Sequence, residues 1–227
     1  MKSLEKISCK LTTALTPYKP LIGPLASCFT VGQFLAESLI CLDIIARRST
    51  RGVPSWPFVG GFVIGTLMLK YSLMIEDFSM FVVNFTGVLL NLFHILIYNK
   101  FCRRRRRELH EPLRKGLIFV AFTFLYSFWE KEEFLGYRYG MIVTILMLVL
   151  NGSPLLELSD IIECEDASKI QLPLTAMTCM SCLLWFLYGF IIRSDFIVIQ
   201  NFFGFLSSFI QSALYLNYYE GFSGKTS

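Results

Sequence analysis

Two carboxamides, Asn84 and Asn201, stand inside segments that are otherwise almost wholly apolar, and each belongs to the same recurring set of residues. Tyr71, Asn84, Gly87 and Tyr98 return as Tyr188, Asn201, Gly204 and Tyr215, every pair at a spacing of about 117 residues. Pro57 answers to Pro173 one residue short of that offset, so the two copies differ by a single insertion or deletion. A primary amide carries two donors and an acceptor, and in apolar surroundings a helix partner, water or a ligand must meet them, because lipid does not. A lone Asn reads first as a helix-to-helix hydrogen bond worth about 1 kcal/mol in membranes. A matched pair, one per copy of a duplicated membrane unit, reads instead as a site for a small polar solute held between the two halves. The chemistry implied is recognition by hydrogen bonds, with no covalent bond made or broken.

The remaining reactive residue types argue against catalysis. Only two histidines are present, His94 and His110, and neither stands near a Ser or Asp that would complete a hydrolytic triad. Cys179-Met180-Ser181-Cys182 has the spacing of a redox or zinc pair, but it lies in an apolar helix, where packing is the better reading. The seven cysteines fall mostly inside spans or at their inner ends, which argues against an extracellular disulfide framework. No enzymatic activity, catalytic residue, metal or cofactor is expected. Two glycosylation sequons, at Asn84 and Asn151, fall within spans and are discounted. Glu37 is an ionisable group within a span and therefore a functional candidate, although without an evident basic partner it reads as a water-facing polar group before a proton carrier.

The elements that must position these residues are membrane helices. The chain of 227 residues is 54% hydrophobic, with a mean hydropathy of +0.56. Apolar segments lie at about 25–46, 56–75, 78–99, 113–129, 138–162, 173–192 and 196–217, near the length of about 20 residues that a spanning helix needs. They are too long and too continuously apolar for the alternating strands of a membrane barrel. Lys and Arg in short loops mark the cytoplasmic side. Arg47, Arg48 and Arg51 follow the first span, and Lys100, Arg103 to Arg107, Arg114 and Lys115 follow the third, so the N-terminus is expected outside or in a lumen and the C-terminus in the cytoplasm. The tail lysines Lys2, Lys6, Lys10 and Lys19 and the acidic Glu163, Glu165 and Asp166 pull the other way, and the arginine run outweighs them. That run would suggest nucleic acid in a soluble chain; beside a span it sets topology and touches anionic lipid, and no nucleic-acid partner is expected.

Three spans reverse a chain's direction, so two triplets joined directly would face opposite ways. One extra helix, the fourth span from Lys115 to Trp129, restores the direction and gives two parallel three-helix repeats in a 3+1+3 all-α fold. The expected division is an outer N-terminal tail at 1–24, a first repeat at 25–101, and a basic loop, linker helix and outer loop at 102–137. A second repeat follows at 138–218, then a cytoplasmic tail at 219–227.

Arg48-Ser49-Thr50, Val53-Pro54-Ser55-Trp56-Pro57-Phe58, Leu69-Lys70-Tyr71 and Val83-Asn84 resemble the first repeat of the SWEET sugar-transporter family. Ser153-Pro154-Leu155, Leu172-Pro173-Leu174, Trp185-Phe186-Leu187-Tyr188-Gly189 and Asn201-Phe202-Phe203-Gly204-Phe205 are similar to its second, and the likeness covers about residues 25–218. The resemblance implies a bidirectional sugar uniporter of the animal type, working by facilitated diffusion and alternating access on a hexose or a disaccharide. It implies that Asn84 and Asn201 bind the solute, with Trp185 and its repeat partner Met68 packing the ring. It implies an outer gate at Tyr71 and Tyr188 with Asp77 and Asp195, although Ser194 takes the place where the family often has Asp. Pro57, Pro154 and Pro173 are the implied hinges, of which Pro57 and Pro173 read equally well as plain helix starts. The bilayer, a sugar and a homo-oligomer are the expected partners, and the plasma membrane or the Golgi the expected site. A seven-helix receptor, or a membrane scaffold without transport, is the alternative that the short loops and the duplication oppose.

Overall fold

The structure is a computed structural model that describes residues 10–164, 170 and 172–223, with backbone alone at 150–151, 153–164 and 219–223. Among the described residues seven long helices follow one another and no strand occurs: α1 (Lys19–Arg47), α2 (Trp56–Met74), α3 (Phe78–Phe101), α4 (Glu111–Trp129), α5 (Glu132–Cys164), α6 (Leu172–Ile191) and α7 (Asp195–Ser223). Five of them are long and apolar enough to cross a membrane, the first counted from Lys10. The others, α4 and α5, begin with charged turns, Glu111, Arg114 and Lys115 in one and Glu132, Glu133 and Arg138 in the other.

Two boundaries differ from the sequence expectation. The chain is already helical at residue 10, passes through a 3₁₀ turn at Thr16–Tyr18 and enters α1, so the described part of the expected N-terminal tail is helix, with Pro24 inside it. At the other end α7 runs to Ser223, past the expected start of the tail. In both places polar residues end the apolar run and not the helix. Lys2, Lys6, Glu165 and Asp166, the side chains of Glu163 and Pro154, and the last residues of the C-terminal tail lie outside the described residues.

Helix starts follow local chemistry. Trp56-Pro57, Glu111-Pro112 and Leu172-Pro173 open α2, α4 and α6 with proline in the first turn, where its missing N–H costs nothing and its fixed φ suits the helix. Pro57 and Pro173 therefore stand at helix starts and not in helix interiors. Residue 154 lies in the interior of α5.

The chain divides into two compact units, one of residues 31–143 and the other of the described residues within 1–30 and 144–227. In the first, α2 packs against α3 and α4. Gly61 permits the approach to α3, since a Cβ there would lie 2.6 Å from Asn91 Oδ1. Helix α4 buries only Val120, Thr123 and Ser127 and leaves Phe122, Leu125, Phe128 and Trp129 bare, a surface that lipid would cover. In the second unit α6 packs against α7, and Gly189 meets the backbone of Val198 so closely that a Cβ would sit 2.9 Å from its nitrogen.

The repeat seen in the sequence returns in the backbone. The turn between α2 and α3 is closed by Ile75 N–H to Tyr71 O at 3.1 Å, Glu76 N–H to Leu73 O at 3.3 Å and Asp77 N–H to Ser72 O at 3.0 Å. Between α6 and α7 the bonds are Ile192 N–H to Tyr188 O at 3.0 Å, Arg193 N–H to Phe190 O at 3.3 Å and Ser194 N–H to Gly189 O at 3.0 Å. Glu76 and Arg193, at φ of 53° and 55°, hold the same left-handed position in each turn.

Candidate functional site

Asn84 on α3 and Asn201 on α7 are both half-buried and adopt the same pose. Asn84 Nδ2 donates to Met80 O at 2.7 Å, and Asn201 Nδ2 donates to Ile197 O at 2.8 Å, one turn back along its own helix in each case. Neither carboxamide oxygen accepts a bond from any described residue, so each amide retains an acceptor and one N–H for something else. The two residues belong to different compact units.

Met68 and Trp185, repeat partners by spacing, are each 8% exposed. The indole N–H of Trp185 is already committed: it donates to Thr30 Oγ1 at 2.9 Å, which also lies 2.7 Å from Ser181 Oγ and donates back to Ala26 O at 2.9 Å. With its N–H held by Thr30, the indole offers its ring face and no free donor. Ser181, four residues before Trp185 on the same helix face, was the sequence signal for this cluster.

Of the four gate candidates Tyr71, Tyr188 and Asp77 are buried and Asp195 is exposed, and the copies differ. The Tyr71 ring lies nearly parallel to that of Tyr139, with centroids 6.5 Å apart at 7°, and Tyr139 donates from its hydroxyl to Leu67 O at 3.2 Å. Tyr188 meets Trp185 edge-on at 5.4 Å, with Lys19 Nζ 5.9 Å from the Tyr188 centroid. Thr12 reaches the end of the same helix, its hydroxyl donating to Phe190 O at 3.0 Å. Asp77 is the N-cap of α3 and accepts from Met80 N–H at 3.0 Å. Its equivalent is Ser194, whereas Asp195 is the exposed first residue of α7.

Two further polar clusters link helices. Lys70, in the second span, lies over Phe124 at 4.6 Å and Phe128 at 4.9 Å and donates to Ser127. The spacing of those three residues on one face of α4 is the pattern that could have announced it. His94 is fully buried, with Nε2 2.8 Å from Ser38 Oγ, which links α3 to α1. Outside the membrane, Glu130 in the turn after α4 accepts from the Tyr126 hydroxyl and from Arg138, and these donations, that of Tyr126 foremost, hold its carboxyl below its usual range.

Comparison with known proteins agrees with this fold and repeat. The sequence profile of a family described as sugar efflux transporters for intercellular exchange matches residues 20–106 and 137–221, one match per copy. The sugar transporter SWEET1 of Drosophila pseudoobscura pseudoobscura is 29% identical over 201 residues, which is 87% of this chain and 88% of that protein. Human SWEET1 is 28% identical over 191 residues, covering 84% and 86%. The bidirectional sugar transporter SWEET9 of Arabidopsis thaliana is 22% identical over 206 residues, covering 87% and 78%. A solved structure of a eukaryotic SWEET transporter superposes with a TM-score of 0.82 over 91% of this chain and 99% of that one, at 20% identity, and so establishes the 3+1+3 helical fold. With both copies matched by the profile and the fold shared, this chain is a membrane protein of the SWEET family of sugar transporters.

Proposed function

We propose that the chain carries a sugar, a hexose or a disaccharide, across a membrane by facilitated diffusion in either direction, exposing one site alternately to the two sides. The gradient supplies the driving force, and no cofactor or chemical step enters. The observation that supports this reading is the identical pose of Asn84 and Asn201, each with its carboxamide oxygen and one N–H unspent. A sugar hydroxyl both donates and accepts, and an amide so disposed answers both needs. Met68 and Trp185 supply apolar packing for the C–H faces of the ring, with Thr30 steadying the indole.

Tyr71 and Tyr188 serve as the outer gate, with Asp77 and Asp195 as its acidic partners, and bending is assigned to Pro154, Pro57 and Pro173. The N-terminus lies outside or in a lumen and the arginine loop in the cytoplasm, in the plasma membrane or the Golgi; one chain carries a complete pathway and self-association is compatible with it.

Flux of radiolabelled hexose into proteoliposomes tests the site. Asn84→Ala and Asn201→Ala each remove hydrogen bonds worth about 1 kcal/mol apiece, so flux should fall about five- to ten-fold in either variant and further in both together. Undiminished flux in both single variants would falsify the assignment.

A further inference from the structure

Seven cations line one open concavity of about 720 Å³ where the α1–α2 turn meets the α3–α4 connection: Arg48, Lys100 and Arg103 to Arg107. Two separate stretches of chain build it. Arg48 is set by the turn that ends α1, at a φ of 50° with its N–H on Ile45 O at 3.2 Å. Arg105 folds back on the end of α3, its Nε donating to Cys102 O at 3.2 Å and its Nη2 to Lys100 O at 3.3 Å, which covers carbonyls that would otherwise repel an anion. The connection continues as a π-helical turn at Arg106–His110 before α4 begins.

No anion among the described residues answers these charges. Among the described residues Arg48, Arg103, Arg104, Arg106 and Arg107 make no hydrogen bond or ion pair through their side chains. The nearby Glu108 instead accepts from the Cys102 thiol at 3.3 Å. That thiol stays neutral, since burial first and the bond to Glu108 second push its pKa up. A loop that served only to fix topology would gain nothing from gathering its charges, which repel one another, around a shared hollow with a residue of another turn.

We propose that this concavity binds the headgroup of an anionic membrane lipid that carries more than one phosphate, such as a phosphorylated phosphatidylinositol. Charge selects the class: a headgroup with one phosphate brings about one negative charge to seven cations, and several arginines can engage separate phosphates in bidentate fashion. Position selects the lipid over a soluble anion, because α1 and α3 end at this hollow and the cytoplasmic leaflet begins there. That step rests on the topology proposed above. A bound headgroup would tie the α1–α2 turn to the start of the linker helix.

The test uses the full chain in phosphatidylcholine nanodiscs, titrated with a fluorescent short-chain bisphosphorylated phosphatidylinositol. Binding is expected to be saturable and to weaken with salt. Arg48→Gln should weaken it about five-fold, the equivalent of about 1 kcal/mol for one charge. Lys115→Gln, an equal loss of charge outside the concavity, should change it less than about two-fold, and Arg104→Gln/Arg106→Gln/Arg107→Gln should abolish it. Equal effects of Arg48→Gln and Lys115→Gln, or no saturable binding, overturn the site. Equal affinity for free inositol trisphosphate or inorganic phosphate overturns the lipid assignment, as does surface labelling that puts this loop outside the cell. A thermal melt that is unchanged by Arg48→Gln excludes misfolding, and Arg48→Lys should restore most of the affinity if a melt shift appears. None of these readouts needs a sugar or transport, so their failure is separate from a failure of the uniport reading.

Discussion

Thr30 carries three polar relations through one hydroxyl: it accepts from the Trp185 indole, lies against Ser181 and donates to Ala26 O. In a bundle that excludes water such a hub fixes the ring whose face is assigned to the sugar. Thr30→Val keeps the shape and removes the acceptor, leaving the indole N–H unpaired. Polar bonds within membrane bundles are worth about 0.6–2 kcal/mol, so a drop in unfolding free energy of that size is expected in a denaturant titration, with a smaller change for Ser181→Ala. At this scale the sequence showed the carboxamides well, because an Asn in apolar surroundings stands out and its repetition doubles the signal. It showed Thr30 poorly. A hydroxyl that can satisfy itself on its own helix is unremarkable in a span, and only the fold shows that it also holds a tryptophan.

Turns and caps decide much at the scale of the elements. Asp77, assigned above to the gate, also caps α3, a role that a serine at 194 can fill in the second copy, and this is why the repeat tolerates the exchange. The short α4–α5 turn has its own ionic clasp, Glu130 between Tyr126 and Arg138. Its carboxyl is held below the ordinary range, so the clasp stabilises the fold above the unfolded carboxylate pKa of about 4.3 and is lost as pH falls through the lower folded value. Between about pH 6 and pH 3 the melting temperature of the wild type should therefore fall more steeply than that of Glu130→Gln, measured in nanodiscs. Parallel slopes would remove the clasp from the account. Helix positions were legible within a few residues from apolar runs alone. The helical N-terminal segment was not, because Lys10, Lys19 and three prolines, Pro17, Pro20 and Pro24, look like a tail to any hydropathy measure, whereas Thr12 on Phe190 O shows it seated on α6.

The whole molecule is ordered by duplication, and the duplication is more exact in its backbone than in its residues. The α2–α3 and α6–α7 turns repeat bond for bond, while their side chains have diverged to Glu76 and Arg193, Asp77 and Ser194, and Met68 and Trp185. The seven-helix order and the family were legible from spacing, since a repeat offset survives substitutions that blur individual motifs. The compact units were not: they cut α1 after Thr30 and α5 after Val143, away from the repeat boundaries, because compactness follows packing and the sequence offset follows ancestry. One inequality between the copies has an optical consequence. Of the three tryptophans only Trp185 is enclosed by the protein itself, at 8% exposure against 46% for Trp56 and 94% for Trp129. With Trp56 and Trp129 replaced by Phe, the remaining fluorophore would report, without any added label, each turnover that loosens its tie to Thr30.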